Sequence, residues 1–213
     1  DRFSWAENLA FDGLGSLFVS EAVRGELWKI ELCANGTAYC SEIYVTDGVK
    51  QFGGLAITAD GSTIYAGATL DDKSHALLSI PTTNSQGKFD LVVGDLTNQP
   101  NGLAFDELNE ILYCTDEGTG SDIGGSLLAI NLDTKEQTIV KDHIQGADGC
   151  FYDPLSLRLY VGELLSMKVM VFEVSSDPAV STKIASFVGE YDGLNSIGKV
   201  DMLDDISLYY PHS

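Results

Sequence analysis

Basic residues are scarce in this 213-residue chain: 12 Lys and Arg stand against 32 Asp and Glu, a net charge of −20. Binding nucleic-acid phosphate, or docking on an anionic membrane, needs clustered Lys and Arg, so both functions are excluded. No run approaches the ~18 apolar residues of a membrane-spanning helix. Helical periodicity is poor throughout. Several enzyme signatures are also missing: there is no G-x-S-x-G nucleophile elbow, no phosphate loop and no C-x-x-C pair. The chain opens at Asp1 with neither Met nor a signal-like segment, so it is read as a processed protein or a fragment. The acidic balance leaves open a bound cation or a basic partner. A 44% hydrophobic content with 9 Tyr, 9 Phe and 2 Trp is enough to build a core.

Four segments share one grammar: a small or polar pair, an apolar stretch, a turn, then a second strand that holds an aromatic at one position, Phe18, Tyr65, Tyr113 and Tyr160. They begin at Glu7-Asn8-Leu9-Ala10-Phe11, Gly53-Gly54-Leu55-Ala56-Ile57, Asn101-Gly102-Leu103-Ala104-Phe105 and Asp148-Gly149-Cys150-Phe151-Tyr152, at steps of 46, 48 and 47 residues. A further step reaches Asn195, in a degenerate fifth copy. Two more β-type runs follow each pair, such as Glu26–Ile30 and Ile43–Val45 in the first copy.

Four short antiparallel strands per repeat of about 40–50 residues is the pattern of a β-propeller blade. One twisted four-stranded sheet cannot bury both of its faces, and radial packing of blades does so. The expected fold is therefore all-β, a single propeller domain with blades over approximately 7–52, 53–100, 101–147 and 148–194 and a partial one over 195–213. That is about four and a half blades. A six-bladed ring at this period needs roughly 280 residues. Either the sequence is incomplete, or a partner chain completes or covers the open edge.

The innermost strand of each blade lines the axis, so residues at equal phase converge there. Here they are Glu7, Gly53, Asn101, Asp148 and Asn195, four of them oxygen donors. Carboxylate and amide oxygens suit calcium or another divalent cation. The absence of His and Cys from the set makes a zinc site less natural. Turn chemistry is the competing account, because Asn-Gly and Asp-Gly are common turn pairs.

Pro100-Asn101-Gly102-Leu103-Ala104-Phe105-Asp106, followed by Leu112-Tyr113-Cys114-Thr115-Asp116, resembles the repeated motif of the gluconolactonase, regucalcin and luciferin-regenerating-enzyme group. Strictosidine-synthase-like proteins and paraoxonase lactonases are similar. The resemblance implies a propeller of the six-bladed type with an axial divalent metal, usually Ca²⁺. It implies ligands at Glu7, Asn101, Asp148 and Asn195, with the second blade giving none, which suits Gly53. Asn and Asp are swapped at the last two positions relative to those proteins. A second register, matching Asn101 and Asp148 to the final two ligands, requires a blade lost upstream.

By the same resemblance the function is calcium-dependent hydrolysis of a small-molecule lactone or ester. The metal would polarise the carbonyl and Asp148 would act as general base. None of His75, His143 and His212 sits on an inner-strand motif. His75 and His143 are read as surface, in loop or outer-strand segments. Glu163 falls where strictosidine-synthase-like proteins carry polar groups, and a channel-mouth or loop carboxylate is the plainer reading. Asp116-Glu117 and Asp71-Asp72 read as solvated acidic runs, and Asp201, Asp204 and Asp205 have no place in a complete blade. The alternative function is a non-catalytic propeller used for binding or assembly in a secreted or lumenal complex.

The secretory expectation rests on other residues. Cys33 and Cys40 flank a hairpin loop and are expected to form a disulfide. Between them Asn35-Gly36-Thr37 is a glycosylation sequon, with Asn35 as acceptor. Together they favour a secreted or lumenal protein. Cys114 and Cys150 are either buried thiols or a second bridge.

Overall fold

The computed structural model describes residues 5–32, 39–45, 47–83, 88–116, 118, 124–175 and 185–192. Among them are sixteen strands and no helix, arranged as four antiparallel four-stranded sheets whose strands follow chain order. The first sheet is β1 (Ala6–Phe11), β2 (Ser16–Glu21), β3 (Glu26–Leu32) and β4 (Tyr39–Val45). The second is β5 (Val49–Ile57), β6 (Thr63–Leu70), β7 (His75–Pro81) and β8 (Asp90–Leu96). The third is β9 (Pro100–Asp106), β10 (Ile111–Asp116), β11 (Gly125–Asn131) and β12 (Gln137–Ile144). The fourth is β13 (Ala147–Asp153), β14 (Arg158–Glu163), β15 (Lys168–Val174) and β16 (Ala185–Asp192). These are propeller blades, as the repeat predicts. The chain divides into two compact units, Asp1–Pro100 and Asn101–Ser213.

Each inner hairpin turns on an aspartate. In the first unit Asp12 Oδ1 accepts the backbone N–H groups of Leu14, Gly15 and Ser16 at 2.7–2.9 Å. Asp60 Oδ1 accepts from Ser62 N–H and the Thr58 hydroxyl. In the second unit Asp106 takes the Asn109 side-chain N–H, and Asp153 takes Leu155 N–H and the Ser156 hydroxyl. Such Asx-type bonds replace backbone partners that the chain reversal removes. These four aspartates therefore serve the fold.

In the first unit Phe18, Leu27, Tyr44, Phe52, Ile64 and Leu78 belong to one buried cluster. Phe18 and Tyr44 meet edge to face at 5.6 Å, and the Tyr44 hydroxyl donates to the Pro81 carbonyl at 2.6 Å, tying the first blade to the second. In the second unit Tyr113, Leu127, Cys150, Tyr152 and Phe172 form the corresponding core. Each such large side chain contributes roughly 1.5–3 kcal/mol on burial. Asp106 lies buried against this cluster. Burial and the nearby Asp106 carboxylate push the Tyr152 phenol up to about 12.

The second strands show a two-step alternation. Ser20, Gly67, Thr115 and Gly162 occupy equivalent places, so a hydroxyl alternates with no side chain. Ser20 Oγ accepts Asn8 N–H at 2.9 Å, and Thr115 Oγ1 accepts Gly102 N–H at 2.8 Å. Both hydroxyls serve the first residues of inner strands, and β1 carries a register shift between Ala6 and Asn8.

Candidate functional site

Of the equal-phase residues, Glu7, Asn101 and Asp148 stand second in the inner strands β1, β9 and β13, and Gly53 stands midway along β5. Glu7, Asn101 and Asp148 are partly buried, and Gly53 is buried. In the second unit, Asn101 Nδ2 donates to Asp148 Oδ1 at 3.0 Å. The Thr115 hydroxyl donates to the Asp148 backbone carbonyl. Gly102 makes this approach feasible: a Cβ there would lie 2.7 Å from Asp148 O, Cys150 N and Thr115 Oγ1. Thus two residues 47 positions apart, one amide and one carboxylate, form a direct pair. Glu7 lies in the first unit. Asn195 lies outside the described residues.

In three of the four blades the second strand ends in a carboxylate, a set that repeat reading missed. Glu21, Asp116 and Glu163 close β2, β10 and β14. Glu21, fully buried, accepts Trp5 N–H through Oε1 and the N–H groups of Val23 and Arg24 through Oε2. Asp116 takes Gly118 N–H and the Ser126 hydroxyl. Glu163 takes Gln145 N–H and the Ser166 hydroxyl. The signal was present in the sequence as an acid ending each Ser20-Glu21, Thr115-Asp116 and Gly162-Glu163 pair.

Two readings need correction. Asp116 is not a solvated acid: it is buried, because it ends a strand whose six residues are all covered. His75 is not a plain surface side chain. It opens β7, is partly buried, and its Nδ1 lies 3.0 Å from Thr69 Oγ1. His143 is exposed on β12. Asp72 sits in an exposed turn and accepts from Ser74.

Cys114 and Cys150 are both buried thiols outside any disulfide. Tyr113 belongs to the cluster that holds Cys150, and Cys114, its neighbour in β10, points to the opposite strand face. Burial pushes the Cys114 thiol up, with the Asp116 carboxylate adding to it. Cys33, Asn35, Glu117, Asp201, Asp204, Asp205 and His212 lie outside the described residues, as does the proposed Cys33–Cys40 bridge. No helix among the described residues is long and apolar enough to cross a membrane. Among them, no three His, Cys, Asp or Glu side chains gather as a metal group.

No family model matches the chain, and no curated protein matches it. Solved β-propeller structures do. A chain of a nidogen/laminin complex matches 91% of this chain at 15% identity, with a TM-score of 0.69. A TolB structure from Agrobacterium tumefaciens matches 88% at 14% identity, with a TM-score of 0.62. A chain of a mitotic checkpoint complex matches 88% at 10% identity, with a TM-score of 0.58. The matches span 65%, 62% and 53% of those chains, respectively. At such identities the likeness is one of fold.

Proposed function

We propose that this chain is a binding propeller that holds a calcium ion through Glu7, Asn101, Asp148 and Asn195 and engages a partner molecule at that end of its blades. The bond between Asn101 and Asp148 carries the reading, since two equal-phase oxygen-bearing side chains meet there. The donor set is carboxylate and amide oxygen, which fits a hard cation. Two of the similar structures come from assemblies, a nidogen/laminin complex and a mitotic checkpoint complex, which favours a propeller used for assembly. With a net charge of −20, the chain selects a partner carrying basic groups. A secreted or lumenal setting is part of the proposal, resting on Cys33, Cys40 and the Asn35 sequon.

The test is a calcium titration followed by calorimetry. Wild type binds, and Glu7→Gln, Asn101→Ala and Asp148→Ala each weaken binding by about tenfold or more. Silence from the wild type sinks the cation reading. Glycosidase treatment of material secreted by cultured cells checks the compartment: a mass loss, absent in Asn35→Gln, is expected.

The same pair supports a second reading, the gluconolactonase-like hydrolase. Asp148 would take a proton from the water that attacks a lactone or ester carbonyl, then return it to the departing alkoxide oxygen, leaving an acid and an alcohol. Asn101 and Thr115 would hold Asp148 in place. A bound calcium would supply Lewis-acid polarisation of that carbonyl. A lactone and aryl-ester panel decides: turnover lost in Asp148→Asn supports catalysis, and turnover unchanged removes Asp148 as the base.

A further inference from the structure

Packing in the second unit dictates the residue that follows Asn101. A Cβ at Gly102 would lie 2.7 Å from Asp148 O, Cys150 N and Thr115 Oγ1, so only glycine fits. Asparagine followed by glycine is the sequence context in which the amide is lost most readily. No side chain then shields the peptide nitrogen that attacks the amide carbon. The contact between β9 and β13 therefore forces a labile dipeptide into the fold.

The same contact guards it. Deamidation starts when the Gly102 nitrogen gives up its proton and attacks Asn101 Cγ. Gly102 is buried, and its N–H donates to Oγ1 of Thr115, itself fully buried, at 2.8 Å. The Asn101 nitrogen, which must leave as ammonia, donates to Asp148 Oδ1 at 3.0 Å. Swinging Cγ onto the Gly102 nitrogen breaks that bond. Thr115 also donates to the Asp148 carbonyl, so one hydroxyl holds both the attacking nitrogen and the strand that anchors the amide.

We propose that Asn101-Gly102 is a deamidation site gated by the β9–β13 contact, closed while Thr115 and Asp148 hold it and reactive once that contact opens. The step balances with water alone. The Gly102 nitrogen bonds to Asn101 Cγ, and its proton departs with the amide nitrogen as ammonia. Water then opens the cyclic imide to aspartate or isoaspartate. At neutral pH the product sets a second carboxylate beside that of Asp148, and like charges at this range repel. Isoaspartate also adds a methylene to the main chain of β9, one residue before the tightly packed Gly102. Either product stops the pair from re-forming, so the chain keeps a chemical record of having opened.

The gate needs no bound ion, and the test is run with chelator. The chain is held at mildly alkaline pH, folded and in urea. Mass spectrometry of peptic peptides follows the conversion of amide to acid at Asn101. In urea, Asn101 and Asn35, the two asparagines that precede glycine, should convert at similar rates. In the folded chain Asn101 should convert about tenfold more slowly or less. Thr115→Val, which removes the hydroxyl at near-equal size, should speed folded-state conversion severalfold. Asp148→Ala should speed it likewise, and Thr115→Ser, which keeps the hydroxyl, should not. Rates are compared in variants that melt above the incubation temperature. Conversion at Asn101 as fast in the folded wild type as in urea overturns the proposal. So does a wild-type rate in both Thr115→Val and Asp148→Ala.

Discussion

Glu21 and Glu163 perform one task in different blades: each ends a second strand and accepts the backbone N–H of a residue just ahead of its own blade's inner strand, Trp5 and Gln145 respectively. Both also cap the following turn, Glu21 through Val23 and Arg24, Glu163 through Ser166. The two differ in burial, and that difference sets the cost of removing them. Glu21→Ala takes the carboxylate from three part-buried N–H groups and leaves a void at a buried site, and should cost about 2–3 kcal/mol. Glu163→Ala, at a partly exposed site, should cost about 1 kcal/mol. Urea unfolding of the two variants checks the ranking.

The hairpin aspartates make stability depend on acid. For Asp12, burial opposes the charge, but N–H groups of Ser16, Leu14 and Gly15 outweigh it and hold the carboxyl below its usual value of 3.8. Bonds from Thr58 and Ser62 bring Asp60 down to about 2. A carboxyl whose folded value is depressed stabilises the fold above its unfolded value and loses that contribution as pH falls toward the folded one. The melting temperature should therefore drop as pH falls from 3.8 toward about 2. Asp12→Asn and Asp60→Asn should each flatten that slope in thermal scans.

Gly102→Ala should be among the most damaging small changes in the chain. Its Cβ would press on the Asp148 carbonyl and the Cys150 amide, backbone groups that cannot step aside. A loss of about 3 kcal/mol or more is expected. Gly94→Ala is the control, because its Cβ would meet only Leu91 side-chain carbons, the nearer at 3.4 Å. That change should be neutral or stabilising by about 0.5 kcal/mol.

The Asn101–Asp148 bond should appear as an energetic coupling. A double-mutant cycle of Asn101→Ala and Asp148→Ala, followed by chemical denaturation without calcium, should show about 1 kcal/mol of interaction. Additive losses would mean that the two side chains do not support each other in solution.

Cys114 and Cys150 should resist alkylation in the folded chain. Mass spectrometry of tryptic peptides after iodoacetamide should find both modified only in urea, since reaction needs an accessible thiolate. A Cys114–Cys150 cross-linked peptide from non-reduced protein would contradict their placement as separate buried thiols.

The blades were legible because strand alternation and turn residues act over a few neighbouring positions. Leu9, Leu55, Leu103 and Cys150 each follow the small or polar pair, and the strands fall where this rhythm puts them. Contacts set by register were not legible. Gln99 reads as an ordinary residue before Pro100, because its hydrogen-bond partner Thr69 is 30 positions away. Asp116 resembled a loop acid because an acidic neighbour follows it, whereas pairing with β11 covers it. His75 was misjudged for the same reason, standing beside an acidic turn yet facing Thr69 across β6 and β7. For the Asn101–Asp148 pair, equal phase was readable, while its closeness depended on Gly102 and Thr115 admitting the neighbouring strand.

The alternation of Ser20, Gly67, Thr115 and Gly162 makes the blades unequal pieces. Like is separated from like by 95 residues, twice the visible repeat. The exchangeable module is then a pair of blades. Copying the third blade into the place of the second would put Thr where Gly67 must admit the Pro100 oxygen, and the chain could not close over it.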